Sequence, residues 1–246
     1  MTLAPEVVAE QIMGYVVGAS ELIPTLKPSP KKSYSVAILP QGPHFYTGLL
    51  QAAGYLLLDN KKKKLLIISQ QSDDTNHSII DITTYGPIFG QTRKNSPSKI
   101  HKIAHTIGAQ IGQPEQKSLY EQIRSQLPFI RTIMENKELL HISIGEKTPQ
   151  NILNKIAGWI KNNREEYSIV ILTNIEVNTP AKSKKIDEQN KIARIIQTVS
   201  SKTPLLTIFQ KILTVQKKKP EIIAYVNPGD FGKPTSLTTR YICAVG

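Results

Sequence analysis

Short β-rich runs alternate with longer helical patterns along most of this chain, and this order limits the folds that it can adopt. SVAIL (35–39) precedes a helical pattern over 46–59, and LHISIG (140–145) precedes another over 149–164. Strands separated by helices pair in parallel, and the helices cover both faces of the sheet. The sequence therefore predicts an α/β fold. The other predicted strands are 65–69, 78–83, 168–172, 222–226 and 240–245, and the other predicted helices are 98–112, 119–136, 182–201 and 204–216.

A separate helical pattern precedes the first strand. Apolar residues recur at helical spacing over 5–24, and the prolines of LKPSPKK (26–32) end the pattern. The 246 residues fit one large domain, since 39% of them are hydrophobic and no repeat is evident. We therefore divide the chain into an N-terminal helix and linker over 1–33 and a single α/β domain over 34–246.

Lysine dominates the charge of the chain, whose formal net charge is +12. A basic surface attracts polyphosphates, but arginine supplies most bidentate phosphate and base contacts, and the arginines here are few and dispersed. A genome rich in Lys, Ile and Asn codons would produce the same composition, and charged runs are usually solvated faces. The lysine runs at 61–64, 182–185 and 217–219 leave anion or RNA binding by a basic accessory protein as an alternative function.

Cysteine content and hydropathy predict a soluble cytoplasmic protein. Cys243 is the single cysteine, which excludes an internal disulfide and a thiolate zinc cluster. It lies in the apolar run YICAV, where we expect it to pack as a small hydrophobic residue. Glu6, Glu10 and Glu21 interrupt the first apolar pattern, and no run approaches the ~18 apolar residues of a membrane span.

Polar loops follow three of the predicted strands. They are PQGPHFYTG (40–48), QQSDDTNH (70–77) and TNIEVNTP (173–180). Exposed loops are polar in any protein, but ligands of parallel α/β sheets bind beyond the carboxyl ends of the strands. The sequence therefore predicts one pocket at this edge. Its candidate side chains are Gln41, His44, Tyr46, Gln70, Gln71, Ser72, Asp73, Asp74, His77, Asn174 and Glu176.

Several segments resemble one known family. PQGPHFYTG and the alanine-containing helix after it resemble the PHAGYxYSG segment of the MEMO family, also called protein B of the AmmeMemoRadiSam system. YEQIRSQLPFI (120–130) is similar to EHSLEVQLPFL of that family, and YVNPGD (225–230) with TTRYICAV (238–245) is similar to its YxNSGD and VGYAxxA ending. The resemblance spans 35–245. It implies a three-layer αβα sandwich with a largely parallel or mixed sheet, related to class III extradiol dioxygenases, and three histidines that hold a metal.

The metal-ligand positions implied by the resemblance carry other residues in this chain. Gln41 replaces the first ligand histidine, Gln71 or Ser72 the second, and Val177 or a neighbour the third, while Asn174 replaces an aspartate. Neutral amides and hydroxyls do not replace imidazoles around iron, copper or zinc. We therefore expect a MEMO-like protein without a cofactor or catalytic residues, which binds a small molecule or a peptide segment. The expected ligand-binding residues are Gln41, His44, Tyr46, Gln71, Ser72, Glu121, Asn174 and Glu176.

A displaced metal site is the enzymatic alternative. Aligning the first loop on His44 and the second on His77 retains two histidines, and Glu176 would complete the two-histidine, one-carboxylate set of non-haem iron enzymes. Iron, copper or zinc held there would indicate a metal-dependent oxidoreductase. No GxSxG elbow, phosphate-binding glycine loop or paired-cysteine motif supports another class of enzyme.

The other histidines favour structural interpretations. His101 and His105 are spaced i, i+4 but lack the glutamate of HExxH and flank an apolar stripe that ends at Ile111, so we expect them to be solvated. His141 lies in the strand pattern LHISIG, where we expect a hydrogen-bonded structural role.

Overall fold

The computed structural model describes residues 5–26, 33–71, 78–81, 97–111, 123–134, 137–176, 194, 196, 203–226 and 239–246. These residues form helices and strands in alternating order. The helices are α1 (Pro5–Leu26), α2 (His44–Leu57), α3 (Pro97–Ile107), α4 (Leu127–Ile133), α5 (Gln150–Asn163) and α6 (Pro204–Gln216). The strands are β1 (Val36–Leu39), β2 (Lys64–Gln71), β3 (Ser78–Asp81), β4 (Gln110–Ile111), β5 (Glu138–Gly145), β6 (Tyr167–Leu172), β7 (Ile175–Glu176), β8 (Glu221–Val226) and β9 (Thr239–Val245).

These strands form one mixed sheet with parallel pairs at its centre. Its order is β4-β3-β5-β2-β6-β1-β9, and both β7 and β8 pair with β9. Ile67 of β2 aligns with His141 of β5 on one side and with Val170 of β6 on the other, all in parallel. Antiparallel pairings lie away from the centre, and they include β3 with β5, β9 with β1, and β8 with β9. The predicted largely parallel or mixed sheet is confirmed.

Helices cover both faces of the sheet. Leu65 and Ile67 pack with residues of α1, α2 and α4, whereas Leu66 and Ile68 pack with residues of α3, α5 and α6. Side chains alternate between the faces of a strand, so a strand covered on both sides needs apolar residues at successive positions. All four of these residues are fully buried. The fold is therefore the predicted three-layer αβα sandwich.

Helix α1 lies in the same layer as α2 and α4. Its buried residues Ile12, Ala19 and Ile23 belong to the core on that side of the sheet and lie on the predicted apolar face. The division between a helix-and-linker segment over 1–33 and a domain over 34–246 stays a prediction. Among the described residues, no helix combines the length and apolarity needed to cross a membrane.

Helix α3 is shorter than the sequence pattern predicts. It ends at Ile107 because Gly108 adopts a left-handed conformation with φ 73°. The Gly108 N–H donates to His105 O and the Ala109 N–H donates to Ala104 O, which is the Schellman arrangement of a helix C-terminus. The chain then enters β4, so the expected helical position of Ile111 is wrong. Of the predicted helix over 119–136, residues 127–133 form α4, and residues 119–122 lie outside the described residues.

Gly54 allows α2 to approach β1 closely. A Cβ atom added there would lie 2.0 Å from Leu39 Cδ2 and 3.3 Å from Cys243 Sγ, both in the core. We expect Gly54→Ala to lower the free energy of unfolding by about 1 to 3 kcal/mol through overpacking, measured by urea unfolding. In the control Gly158→Ala, the added Cβ meets no atom within 4 Å, and a glycine is removed from a helix. The free energy of unfolding of this variant should therefore rise by up to about 1 kcal/mol. Equal urea midpoints for the two variants would contradict this account.

Candidate functional site

The four central parallel strands end at one edge of the sheet, which we call the carboxyl edge. β1 is followed by Gln41, β6 by Asn174, and β2 ends at Gln71 beside Gly145 of β5. Because Leu39 aligns with Leu172 and Ser69 also aligns with Leu172, the ends of β1, β6 and β2 are neighbours. The carboxyl edge therefore brings together the residues at which the three polar loops of the sequence begin.

Asn174 joins the loops that follow β1 and β6. Its Oδ1 accepts a hydrogen bond of 2.9 Å from the Gln41 N–H, and its Nδ2 donates one of 2.8 Å to the Gln41 carbonyl oxygen. The Thr173 N–H also donates to Leu39 O at 3.0 Å, which extends the strand pairing to this point. Asn174 thus binds the backbone of the neighbouring loop and fixes the position of Gln41.

His44 is the first residue of α2 and lies half-buried against α4. Its Nε2 is 2.7 Å from Ser125 O, and its ring meets the Phe129 ring edge-on with centroids 5.2 Å apart. A carbonyl oxygen only accepts, so Nε2 carries the proton and donates it to Ser125. The imidazole therefore holds the start of α2 against the segment that leads into α4.

Aromatic side chains form the rim of the carboxyl edge. Phe45 is 67% exposed and meets Tyr46 edge-on, with ring centroids 5.0 Å apart. Tyr46 in turn stacks on Tyr241 of β9 at 6.3 Å with an angle of 21° between the planes. The Tyr241 ring lies against Gly42, where an added Cβ would be 3.2 Å from Cε1. We call Phe45, Tyr46 and Tyr241 the aromatic rim. Neither Phe45 nor Tyr241 was predicted as a site residue, although FY in PQGPHFYTG is a visible signal.

The remaining predicted site residues are described in part or not at all. Gln70 is half-buried near the end of β2, and Gln71 follows it, but the side chain of Gln71 is outside the described part. Glu176 lies in β7 opposite Thr239, and again only its backbone is described. Ser72, Asp73, Asp74, His77, Glu121 and Val177 lie outside the described residues, as do the lysines of 182–185.

At two described positions that the resemblance assigns to the metal site, the side chains are amides, Gln41 and Asn174. Asn174 binds the backbone of Gln41 with its amide, and the His44 Nε2–H donates to Ser125 O, which leaves Nδ1 as the ring nitrogen of His44 with a lone pair. In the part of the chain that is described, no three His, Cys, Asp or Glu side chains are grouped as metal ligands would be. The alternative with His44, His77 and Glu176 stays a prediction, since two of its side chains are not described.

A buried polar pair lies behind the carboxyl edge, on the α2 and α4 side of the sheet. Ser69 Oγ of β2 is 2.8 Å from Nε2 of His141 of β5, and both residues are at most 1% exposed. Burial disfavours the imidazolium and lowers the pKa of His141 to about 3. The expected hydrogen-bonded structural role of His141 is confirmed. The partner was missed because Ser69 is distant in sequence.

A second buried polar group connects α2 to the site. Gln51 is fully buried and its Nε2 donates to Pro40 O at 3.0 Å, immediately before Gln41. Its Oε1 has no hydrogen-bond partner among the described residues. One turn further along α2, the Tyr55 hydroxyl donates to Gln126 Oε1 at 3.2 Å, and burial raises the pKa of Tyr55. These groups fix the β1 loop and α4 relative to α2.

The other histidines and the cysteine lie where the sequence predicts. His101 and His105 are exposed on α3, while Ile100, Ile103 and Ile107 of the same helix are buried. Cys243 is fully buried in the core, and burial raises its pKa to about 12. A thiol with so high a pKa is not a nucleophile at neutral pH.

Comparison with known proteins identifies no family. No family model matches the chain, and no curated protein matches it. Among solved structures, the fold is similar to the crystal structure of the uncharacterized protein JW3007 from Escherichia coli K12, with 10% sequence identity and a TM-score of 0.49. The match covers 86% of this chain and 99% of that one.

Proposed function

We propose that this chain is a MEMO-like protein that binds an organic ligand at the carboxyl edge without a metal or catalysis. The observation that carries the proposal is the aromatic rim, in which Phe45 is 67% exposed beside the stacked rings of Tyr46 and Tyr241. Large exposed aromatic side chains next to convergent polar groups are typical of binding sites. A planar or aromatic group, in a small molecule or in a peptide, is the chemistry that these rings would recognise.

The rigidity of the β1 loop supports this proposal. Asn174 holds both backbone groups of Gln41, and Thr47 Oγ1 donates to the carbonyl oxygens of Gly42 at 3.2 Å and Pro43 at 3.0 Å. His44 ties the same segment to Ser125. A loop that is already ordered loses little conformational entropy when a ligand binds. The Phe45 and Tyr46 rings are therefore carried by a preorganised first turn of α2.

The hydrogen bonds of the site also support a role without metal catalysis. In the register of the MEMO resemblance, Gln41 stands where the family has a ligand histidine, and an amide is a poor donor to iron, copper or zinc. Asn174 binds both backbone groups of Gln41 with its amide. This side chain supports the loop, whereas ring faces and polar loop groups would contact the ligand.

The proposal is tested by measuring ligand binding with and without the Phe45 ring. Protein purified without chelators is screened by thermal shift against small aromatic compounds and tripeptides with a central aromatic residue, and the affinities of hits are measured by calorimetry. We expect Phe45→Ala to weaken binding of a hit roughly 2- to 10-fold, because that factor corresponds to the interaction energy of one aromatic pair. The control Ile111→Ala removes another exposed apolar side chain, 38% exposed on β4 at the far end of the sheet, and should leave the affinity unchanged.

Two results would contradict the proposal. Hits whose affinity is the same in Phe45→Ala and wild type would show that the aromatic rim is not the binding site. Near-stoichiometric iron, copper or zinc in the purified protein, lost in both His44→Ala and His77→Ala, would instead support the oxidoreductase alternative.

A further inference from the structure

Two lysine runs that are far apart in sequence meet at the edge of the sheet opposite the carboxyl edge. Lys61, Lys62 and Lys63 precede β2, and Lys217, Lys218 and Lys219 follow α6. Lys62, Lys217 and Lys218 line one groove of about 380 Å³ together with Arg164, which precedes β6. We call these six lysines the amino-edge lysines. They lie at the starts of the parallel strands, so they are separate from the site of the aromatic rim.

Hydrogen bonds to backbone carbonyls hold the base of this edge together. Lys62 Nζ donates to Arg164 O at 2.7 Å and to Tyr167 O at 3.1 Å. Lys137, which is only 5% exposed, donates its Nζ to Asn60 O at 2.6 Å and also to Lys62 O. Burial lowers the pKa of both lysines. The turn that carries Lys61 to Lys63 is therefore fixed to the turns that precede β5 and β6.

The outer lysines of this edge are exposed, and the positive charge around them is only partly compensated. Five of these lysines are exposed: Lys61, Lys63, Lys217, Lys218 and Lys219. Within the described ranges, none of their side chains forms an ion pair. Carboxylates are fewer than cations here: Asp59 and Glu165 line the same groove, Glu165 pairs with Arg164, and Glu166 pairs with Lys64. The positive charges of this edge outnumber the negative ones and repel each other, so an anion that neutralises the excess would bind favourably.

Lys217 occupies a backbone conformation that favours glycine. It has φ 52° at the end of α6, and the N–H groups of Lys217 and Lys218 cap the helix by donating to Thr214 O and Leu213 O. A glycine would adopt this conformation without strain, whereas a lysine does not. The groove therefore carries a charged residue at a position where glycine would fold with less strain.

We propose that the amino-edge lysines bind the phosphodiester backbone of a double-stranded nucleic acid. Lysine is a point charge that contacts phosphates without reading bases, and the edge is rich in lysine. Single strands are usually bound by exposed aromatic side chains that stack on bases. At this edge the described aromatic residues Tyr34, Trp159 and Tyr167 are all buried, with at most 9% exposure. The chemistry is that of phosphate neutralisation, shared by RNA and DNA duplexes.

The test measures binding of a labelled 20-base-pair RNA duplex and a DNA duplex of the same sequence by fluorescence anisotropy. For about four phosphate contacts we expect affinity to fall roughly 100-fold between 50 and 200 mM salt. The double variant Lys217→Gly with Lys218→Ala should lower the slope of log affinity against log salt by about 2 and weaken binding roughly tenfold at low salt. Its unfolding temperature should be unchanged or higher because the strain at Lys217 is relieved.

A control double variant removes the same number of positive charges from a different part of the surface. Lys147 and Lys155 are exposed, on the turn after β5 and on α5, and neither is an amino-edge lysine. Their replacement by alanine should leave the salt slope unchanged. Equal losses in both double variants, or no binding of either duplex at 50 mM salt, would overturn the proposal. A 20-residue polyglutamate that binds as tightly as the duplexes would overturn it in favour of an acidic protein. A salt slope that falls only in the amino-edge variant supports the proposal with either duplex, and a difference in affinity between RNA and DNA identifies the preferred one.

Discussion

Phe129→Ala is expected to lower the free energy of unfolding by about 3 to 5 kcal/mol, the range for large aromatic residues removed from a core. Phe129 is fully buried in α4, within the segment QLPF. Its ring stacks on Tyr55 at 6.3 Å and 11°, meets His44 edge-on at 5.2 Å and lies 6.3 Å from the Tyr15 ring. These contacts join α1, α2 and α4, so a cavity there weakens the whole helical layer. Urea unfolding followed by circular dichroism measures the loss.

A smaller substitution separates this packing role from the position of His44. Phe129→Leu should retain a folded core while removing the aromatic ring beside the imidazole, so the NMR signals of the His44 ring should shift. The matched variant Phe209→Leu alters a fully buried ring in α6 on the opposite face of the sheet and should leave those signals in place. A loss below about 1 kcal/mol for Phe129→Ala, or unshifted His44 signals in Phe129→Leu, would contradict the described packing.

The sequence pattern predicts the central elements closely because both faces of the sheet are covered. Strand β6 (YSIVIL) is buried at every position and contains only one small polar residue, Ser168, and helices α5 and α6 begin and end within one residue of the predicted bounds. The two-residue strands β4 and β7 were not predicted, since each is defined only by its pairing with β3 or β9 and carries no local pattern. Gly108 ends α3 early through its positive φ, which a periodic pattern does not encode.

Strand order is less accessible to sequence reasoning than strand position. β1 and β2 are successive strands, yet β6 lies between them. The order arises because α2, which connects β1 to β2, covers one face of the sheet, and α5, which connects β5 to β6, covers the other. With the helix on the opposite face, the chain returns across the sheet and places β6 between β1 and β2. The same order places Gln41 beside Asn174, although they are separated by more than half of the chain. Sequence reasoning predicted a shared edge, but the use of the Asn174 amide for the Gln41 backbone follows from three-dimensional geometry.

The two candidate surfaces differ in what the sequence reveals about them. The aromatic rim combines neighbours in one loop with Tyr241, whose place depends on the antiparallel pairing of β9 with β1. The amino-edge lysines were visible as runs but could be interpreted as solvated faces or codon bias. The meeting of Lys62 with Lys217 and Lys218 in one groove depends on where α6 ends relative to the start of β2. Composition alone therefore does not separate a binding surface from an ordinary basic surface.

Burial of His141 predicts that the protein loses stability as the pH falls below about 6.5. The pKa of His141 is about 3 in the folded protein, against an ordinary value of 6.5, because the sheet and its helices desolvate the ring. Between these pH values the unfolded chain binds the proton and the folded chain does not. The stabilising contribution of the neutral His141 is therefore fully present above pH 6.5 and is lost as the pH falls towards 3. The contribution is roughly 3 kcal/mol between pH 7.5 and pH 4.5, at about 1.4 kcal/mol per pH unit.

The variant His141→Gln isolates this contribution from other titrating groups. Glutamine does not titrate, and its amide can still form a hydrogen bond with Ser69. We expect the variant to be less stable than wild type at pH 7.5. Between pH 7.5 and 4.5 its free energy of unfolding should fall by roughly 3 kcal/mol less than that of wild type. The control His105→Gln replaces an exposed histidine and should follow the wild-type curve. Free energies of unfolding in urea at several pH values measure these differences. Parallel curves for His141→Gln and wild type would contradict this prediction, because they would mean that His141 takes up its proton as readily in the folded protein as in the unfolded chain. A buried imidazolium would then need a carboxylate partner. That partner would have to lie close to Ser69 and Ser143, the hydroxyl residues on the same face of the sheet.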